Sequence, residues 1–146
     1  MNPARGRPFW WDRFWWACAL IAPPLAWAAA ASGYGITHTE PLRDLAFLAL
    51  GSLAEEVVFR GGVQRVLLRK MPARTAGISA ANAITSLLFG TAHLWAHAPL
   101  AALGVLPVSL VLGAAYERSG ERLMAPIALH LYFNAVLYAA TLLLAR

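Results

Sequence analysis

The chain has 146 residues, of which 60% are apolar and only 13% charged, with a formal charge of +5. A soluble domain carries about a quarter charged residues, so this balance argues against an aqueous fold and for the membrane as solvent. The lone cysteine, Cys18, leaves no internal disulfide and no thiol metal cluster. The basic excess sits between apolar stretches without a basic–aromatic pattern, so it reads as topology and headgroup contact, and no nucleic acid is expected.

Five apolar stretches follow in chain order, roughly Phe14–Ala31, Leu42–Phe59 with an extension toward Leu68, Ile78–Leu94, Leu100–Tyr116 and Pro126–Ala145. A span needs about 20 residues, and a helix satisfies its own backbone in lipid. The expected fold is therefore all-α: a polytopic membrane helical bundle of about five transmembrane helices around a polar cavity, in one domain over residues 1–146. Trp10, Trp11, Trp15 and Trp16 suit an interfacial anchor before the first helix. The small residues from Ala28 to Gly33 resemble a signal-peptidase site, but Pro23-Pro24 breaks the run and the rest of the chain is itself apolar. A retained first helix is expected. The fourth stretch carries Pro99 and Pro107 and is the weakest span. With the N-terminus inside, inner segments hold Arg5, Arg7, Arg13, Arg60, Arg65, Arg69, Lys70, Arg74, Arg118 and Arg122, and outer ones only Arg43 and Arg146. That asymmetry predicts a multi-pass protein of the cell (inner) membrane, N-terminus cytoplasmic and C-terminus outside.

Against this apolar background a few polar residues stand out. Glu55 and Glu56 are adjacent in the second stretch, where a central carboxylate costs about 3 kcal/mol on insertion scales. Glu56 and Arg60 are four apart and share a helix face, so they can neutralise one another. Glu55 lies about 100° around the helix, which leaves it the freer carboxylate and the candidate general base. The plainer alternative is a structural Glu–Arg pair with the second acid reaching an interface. His93 ends the third stretch. His97, four residues on, could complete a metal pair, but beside Pro99 it reads better as an interfacial residue. His130 and Asn134 share a face of the fifth helix, either as donors to an oxyanion or as interhelical glue. Gathered around one cavity, these groups supply a base, its partner and oxyanion donors, the set needed to hydrolyse an acyl compound with activated water. No serine or cysteine lies in a nucleophile motif, and there is no His-Glu-x-x-His helix.

The spacing also constrains the second helix. If it ran straight on through Gly61-Gly62 to about Arg69, Glu55 would lie about 21 Å from Arg69, and His93 lies about 20 Å beyond Ala80 at 1.5 Å per residue. The two then meet at one depth, so a long second helix is predicted.

Three segments resemble a known family. Glu55-Glu56-Val-Val-Phe-Arg60 is similar to Glu-Glu-x-x-x-Arg, Phe89-Gly-Thr-Ala-His93 to Phe-x-x-x-His, and His130-Leu-Tyr-Phe-Asn134 to His-x-x-x-Asn, in the order found in the CAAX-protease and bacteriocin-processing family of intramembrane proteases. The resemblance covers about Leu45 to Asn134. It implies that Glu55 and His93 activate water, that Glu56 and Arg60 hold the site in shape, and that His130 and Asn134 stabilise the oxyanion. It implies no cofactor, with zinc left open. The chain is short and looks like compact, myxosortase-like members, which puts a prenylated substrate in question. The expected function is an intramembrane endopeptidase acting on a protein or peptide with a hydrophobic C-terminal segment, within the lipid bilayer. The alternatives are a non-catalytic immunity or scaffold protein, whose polar residues hold helices together, and a small transporter with a proton-carrying Glu55.

Overall fold

The computed structural model describes residues 13–33, 41–95 and 99–145. The described residues form five helical rods: α1 (Arg13–Ala31), a composite rod made of α2 (Pro41–Glu56), a π-helix (Val57–Gln64) and α3 (Arg65–Lys70), then α4 (Ala80–His93), α5 (Pro99–Arg118) and α6 (Met124–Leu144). The all-α expectation holds at this level, and α1 stays helical through Pro23-Pro24. Among the described residues two helices, α1 with 19 residues and α6 with 21, are long and apolar enough to cross a membrane. His97, Trp10, Trp11, Arg5 and Arg7 lie outside the described residues.

The predicted second helix does run past Gly61-Gly62, but with a change of pitch. From Val57 to Gln64 the chain is a π-helix, and the Arg65 N–H bonds back five residues to the Arg60 carbonyl. Paired glycines are poor α-helix formers and tolerate unusual backbone, and single π-turns recur at functional sites. Between the rod and α4 a short antiparallel hairpin pairs β1 (Arg74–Thr75) with β2 (Ile78–Ser79). Its two central residues, Ala76 and Gly77, have φ of 51° and 82°, the left-handed pair of a type I′ turn. Four pairing residues are too few to show an alternating pattern in the sequence, so this hairpin differs from the all-helical expectation. Ser79 then caps α4, its Oγ accepting from the Asn82 N–H at 2.9 Å.

The chain divides into two compact units. One contains α1 and α6 from Phe133 onward. The other runs from the composite rod through Tyr132, and its core lies where α4 packs along α5, with Ala81, Phe89, Leu112, Ala115 and Tyr116 buried. Two glycines set this approach. A Cβ on Gly113 would lie 2.0 Å from Asn82 Oδ1, and one on Gly90 would lie 2.5 Å from Leu106 Cδ2. Small residues at such points let helix backbones come close.

The composite rod is inverted relative to a helix in water. Ser52, Glu56, Arg60 and Gln64 are buried, each four residues from the next, while Leu50, Val57 and Val58 face outward at 65%, 48% and 56% exposure. Outward apolar faces of this kind mark a surface made for lipid or a partner.

Candidate active site

The buried stripe of the composite rod carries the site. Glu56 is wholly buried, and both of its carboxylate oxygens are engaged. Oε1 accepts from His130 Nδ1 at 2.8 Å. Oε2 lies 3.2 Å from Arg60 Nε, an ion pair whose N–H is not aligned as a hydrogen bond. Arg60 is also fully buried and turns its far edge to α5, where Nη2 donates to both the carbonyl and the Oγ of Ser109 at 2.9 Å each. The flat guanidinium stands over the Phe89 ring, 5.0 Å from its centroid, a cation–π contact that helps hold a desolvated charge.

Glu55 differs as its place around the helix suggests. Its side chain keeps 35% exposure against 0% for Glu56, and its Oε2 lies 3.8 Å from His130 Nε2. That gap is too long for a direct hydrogen bond. It is short enough for one water to touch both groups. His130 therefore sits between two carboxylates, tied to one and facing the other. An ionised Glu56 can only accept, so the His130 hydrogen lies on Nδ1. In the neutral ring Nε2 then accepts, and in the imidazolium it donates.

Phe89 joins the histidines. The His93 ring lies 4.4 Å from the Phe89 ring and the His130 ring 6.2 Å, centroid to centroid. His93 Nδ1 is 2.9 Å from the Phe89 carbonyl. A carbonyl only accepts, so Nδ1 carries the hydrogen and the neutral ring presents Nε2 as an acceptor. Four of the expected residues, Glu55, Glu56, Arg60 and His130, are thus joined through ion pairs or hydrogen bonds, and His93 reaches them through Phe89. Asn134 lies one turn beyond His130 on α6, in the part of that helix belonging to the other unit.

Two further residues escaped the sequence reading. Gln64 continues the stripe one turn past Arg60, its Nε2 donating to the Gly113 carbonyl at 3.2 Å and to Glu117 Oε1 at 2.9 Å. The four-residue spacing of Glu56, Arg60 and Gln64 was the available signal. Ser109 had a fainter one, as the lone polar side chain between Pro99 and Tyr116. For zinc the residues fit poorly: among the described residues no group of three His, Cys, Asp or Glu is placed to hold a metal ion, and both Glu56 oxygens are already engaged.

Residues 38–136 match the family described as type II CAAX prenyl endopeptidase Rce1-like, a stretch that contains every group above. The chain belongs to that family. No curated protein and no solved structure gives a match. Members of this CAAX-protease family are membrane-embedded peptide hydrolases, and the two apolar helices fit that setting.

Proposed function

We propose that the protein is a glutamate-dependent intramembrane endopeptidase, a single polytopic bundle that hydrolyses a peptide bond near the C-terminus of a membrane-associated substrate. The observation that carries this reading is the Glu55–His130–Glu56–Arg60 chain of contacts, in which His130 of α6 meets three residues of a rod whose outward face is apolar. Carboxylates and a guanidinium kept inside, with valine and leucine outside, suit a wet cavity within lipid. The bias of basic residues toward the inner segments supports a multi-pass placement with the N-terminus in the cytoplasm.

In this reading the partly exposed Glu55 is the general base. A water held beside it, with His93 Nε2 as a second acceptor, loses a proton to the Glu55 carboxylate as its oxygen attacks the scissile carbonyl carbon. The carbonyl oxygen becomes an oxyanion. His130, as an imidazolium donating from Nε2, and the Asn134 amide stabilise it, the second role resting on the His-x-x-x-Asn motif. The C–N bond then breaks, and the proton on Glu55 passes to the leaving amine. Glu56 and Arg60 touch neither water nor carbonyl. They fix the His130 tautomer and orientation, as a buried carboxylate does for a catalytic imidazole elsewhere. The substrate is a protein or peptide with a hydrophobic C-terminal segment, able to enter the cavity from the bilayer.

The test compares membrane and envelope peptides by mass spectrometry in cells with the protein, without it, and with Glu55→Gln. The expected result is a set of new C-termini that appears only with the intact protein. Identical peptide sets in all three would overturn the proposal.

A further inference from the structure

We propose that Ser109 is a positioning residue of the hydrolytic site, acting through Arg60 and Glu56 on His130; this rests on the endopeptidase reading. Ser109 is wholly buried in α5 and offers Arg60 Nη2 two acceptors, its Oγ and its carbonyl, each at 2.9 Å. Among the described residues these are the hydrogen bonds that Arg60 makes: Nη1 has no hydrogen-bond partner, and Nε faces Glu56 without alignment. A guanidinium is a rigid planar fork. Pinning one Nη therefore sets the plane, and with it the position of the opposite Nε edge, 3.2 Å from Glu56 Oε2. Among the described residues Glu56 has no other charge partner on that oxygen, and its Oε1 holds His130 Nδ1 at 2.8 Å. His130 Nε2 then stands 3.8 Å from Glu55. The serine hydroxyl is thus the far end of a relay that sets the imidazole angle opposite the base.

The alternative is that Ser109 merely glues α5 to the composite rod. A glue residue changes the amount of folded protein. A positioning residue changes turnover per folded molecule and the electronic state of the His130 ring. Catalytic geometry is sensitive to small displacements of a supporting group.

The experiment uses the full chain in proteoliposomes, with a peptide substrate identified as above and with 15N-labelled histidine. Ser109→Ala should lower kcat about tenfold per folded molecule, the scale expected for one hydrogen bond to a charged group, with KM unchanged. The His130 ring 15N shifts should move and those of His93 should not. In an Arg60→Lys background, where the fork is gone, Ser109→Ala should have no further effect on kcat. Wild-type kcat per folded molecule in Ser109→Ala overturns the proposal, as does a fall in kcat with unmoved His130 shifts. A wild-type protein that hydrolyses no peptide, yet shows the Ser109→Ala shift at His130, keeps the relay and overturns the endopeptidase reading instead.

Discussion

Gly113→Ala tests the packing of α4 along α5. The new Cβ would lie 2.0 Å from Asn82 Oδ1, 2.5 Å from its Cγ and 2.9 Å from its Nδ2. Asn82 is 2% exposed, so its amide has nowhere easy to go. Moving it breaks the bond from Asn82 Nδ2 to the Leu110 carbonyl at 2.9 Å and the bond from Ser86 Oγ to Asn82 Oδ1 at 3.2 Å. Two neutral hydrogen bonds are worth about 1 kcal/mol each, and overpacking a tight contact adds about 1 kcal/mol or more. The expected loss is about 3 kcal/mol, or a fall in thermal midpoint of about 6–12 °C for a domain of this size. The assay is thermal unfolding of the purified protein in detergent micelles, followed by tryptophan fluorescence. Asn82→Ala should cost less alone and should relieve Gly113→Ala when combined with it, because the clashing atoms are removed. A Gly113→Ala midpoint equal to wild type, or a double variant as unstable as the sum of the singles, would refute the reasoning.

Other expectations follow from the same contacts. Glu117 accepts from Gln64 Nε2, Ser79 Oγ and Arg74, the last of these more than half exposed. Glu117→Ala should therefore destabilise the protein by about 2 kcal/mol or more through buried donors left unpaired. Arg74→Ala should cost less than Glu117→Ala, because Arg74 is 54% exposed and Glu117 keeps its Gln64 and Ser79 donors; the same unfolding assay compares them. Arg60→Met leaves the Glu56 charge buried without its partner, a change that typically costs about 3–5 kcal/mol. It should appear as lost folded yield, checked by size-exclusion profile, and Glu56→Gln/Arg60→Met should recover part of that yield.

The helical rods were legible because their apolar runs are long and turn residues separate them. The Glu56–Arg60 pair was legible from spacing alone, since both partners lie on one helix. Glu55 as the freer acid follows from the same geometry, and its side chain is 35% exposed against 0% for Glu56. What escaped depends on register between helices. Ser109 meets Arg60 across 49 positions of sequence, and Gln64 meets Gly113 across the same separation. Neither can be inferred until α5 is set against the composite rod. His130 illustrates a different gap. Spacing offers it as an oxyanion donor or as interhelical glue beside Asn134, whereas the structure ties its Nδ1 to Glu56 and leaves its Nε2 toward Glu55. The π-helix at Gly61-Gly62 was hidden because glycine marks tolerance of unusual backbone without naming the pitch adopted.

In the proposed reaction Glu55 acts as the base in a lipid-embedded hydrolytic site. The most direct test of that role is the cleavage rate of Glu55→Gln in proteoliposomes, normalised to folded protein. The rate should fall about a hundredfold or more with the thermal midpoint unchanged. Cleavage at the wild-type rate by the folded Glu55→Gln protein would contradict that role.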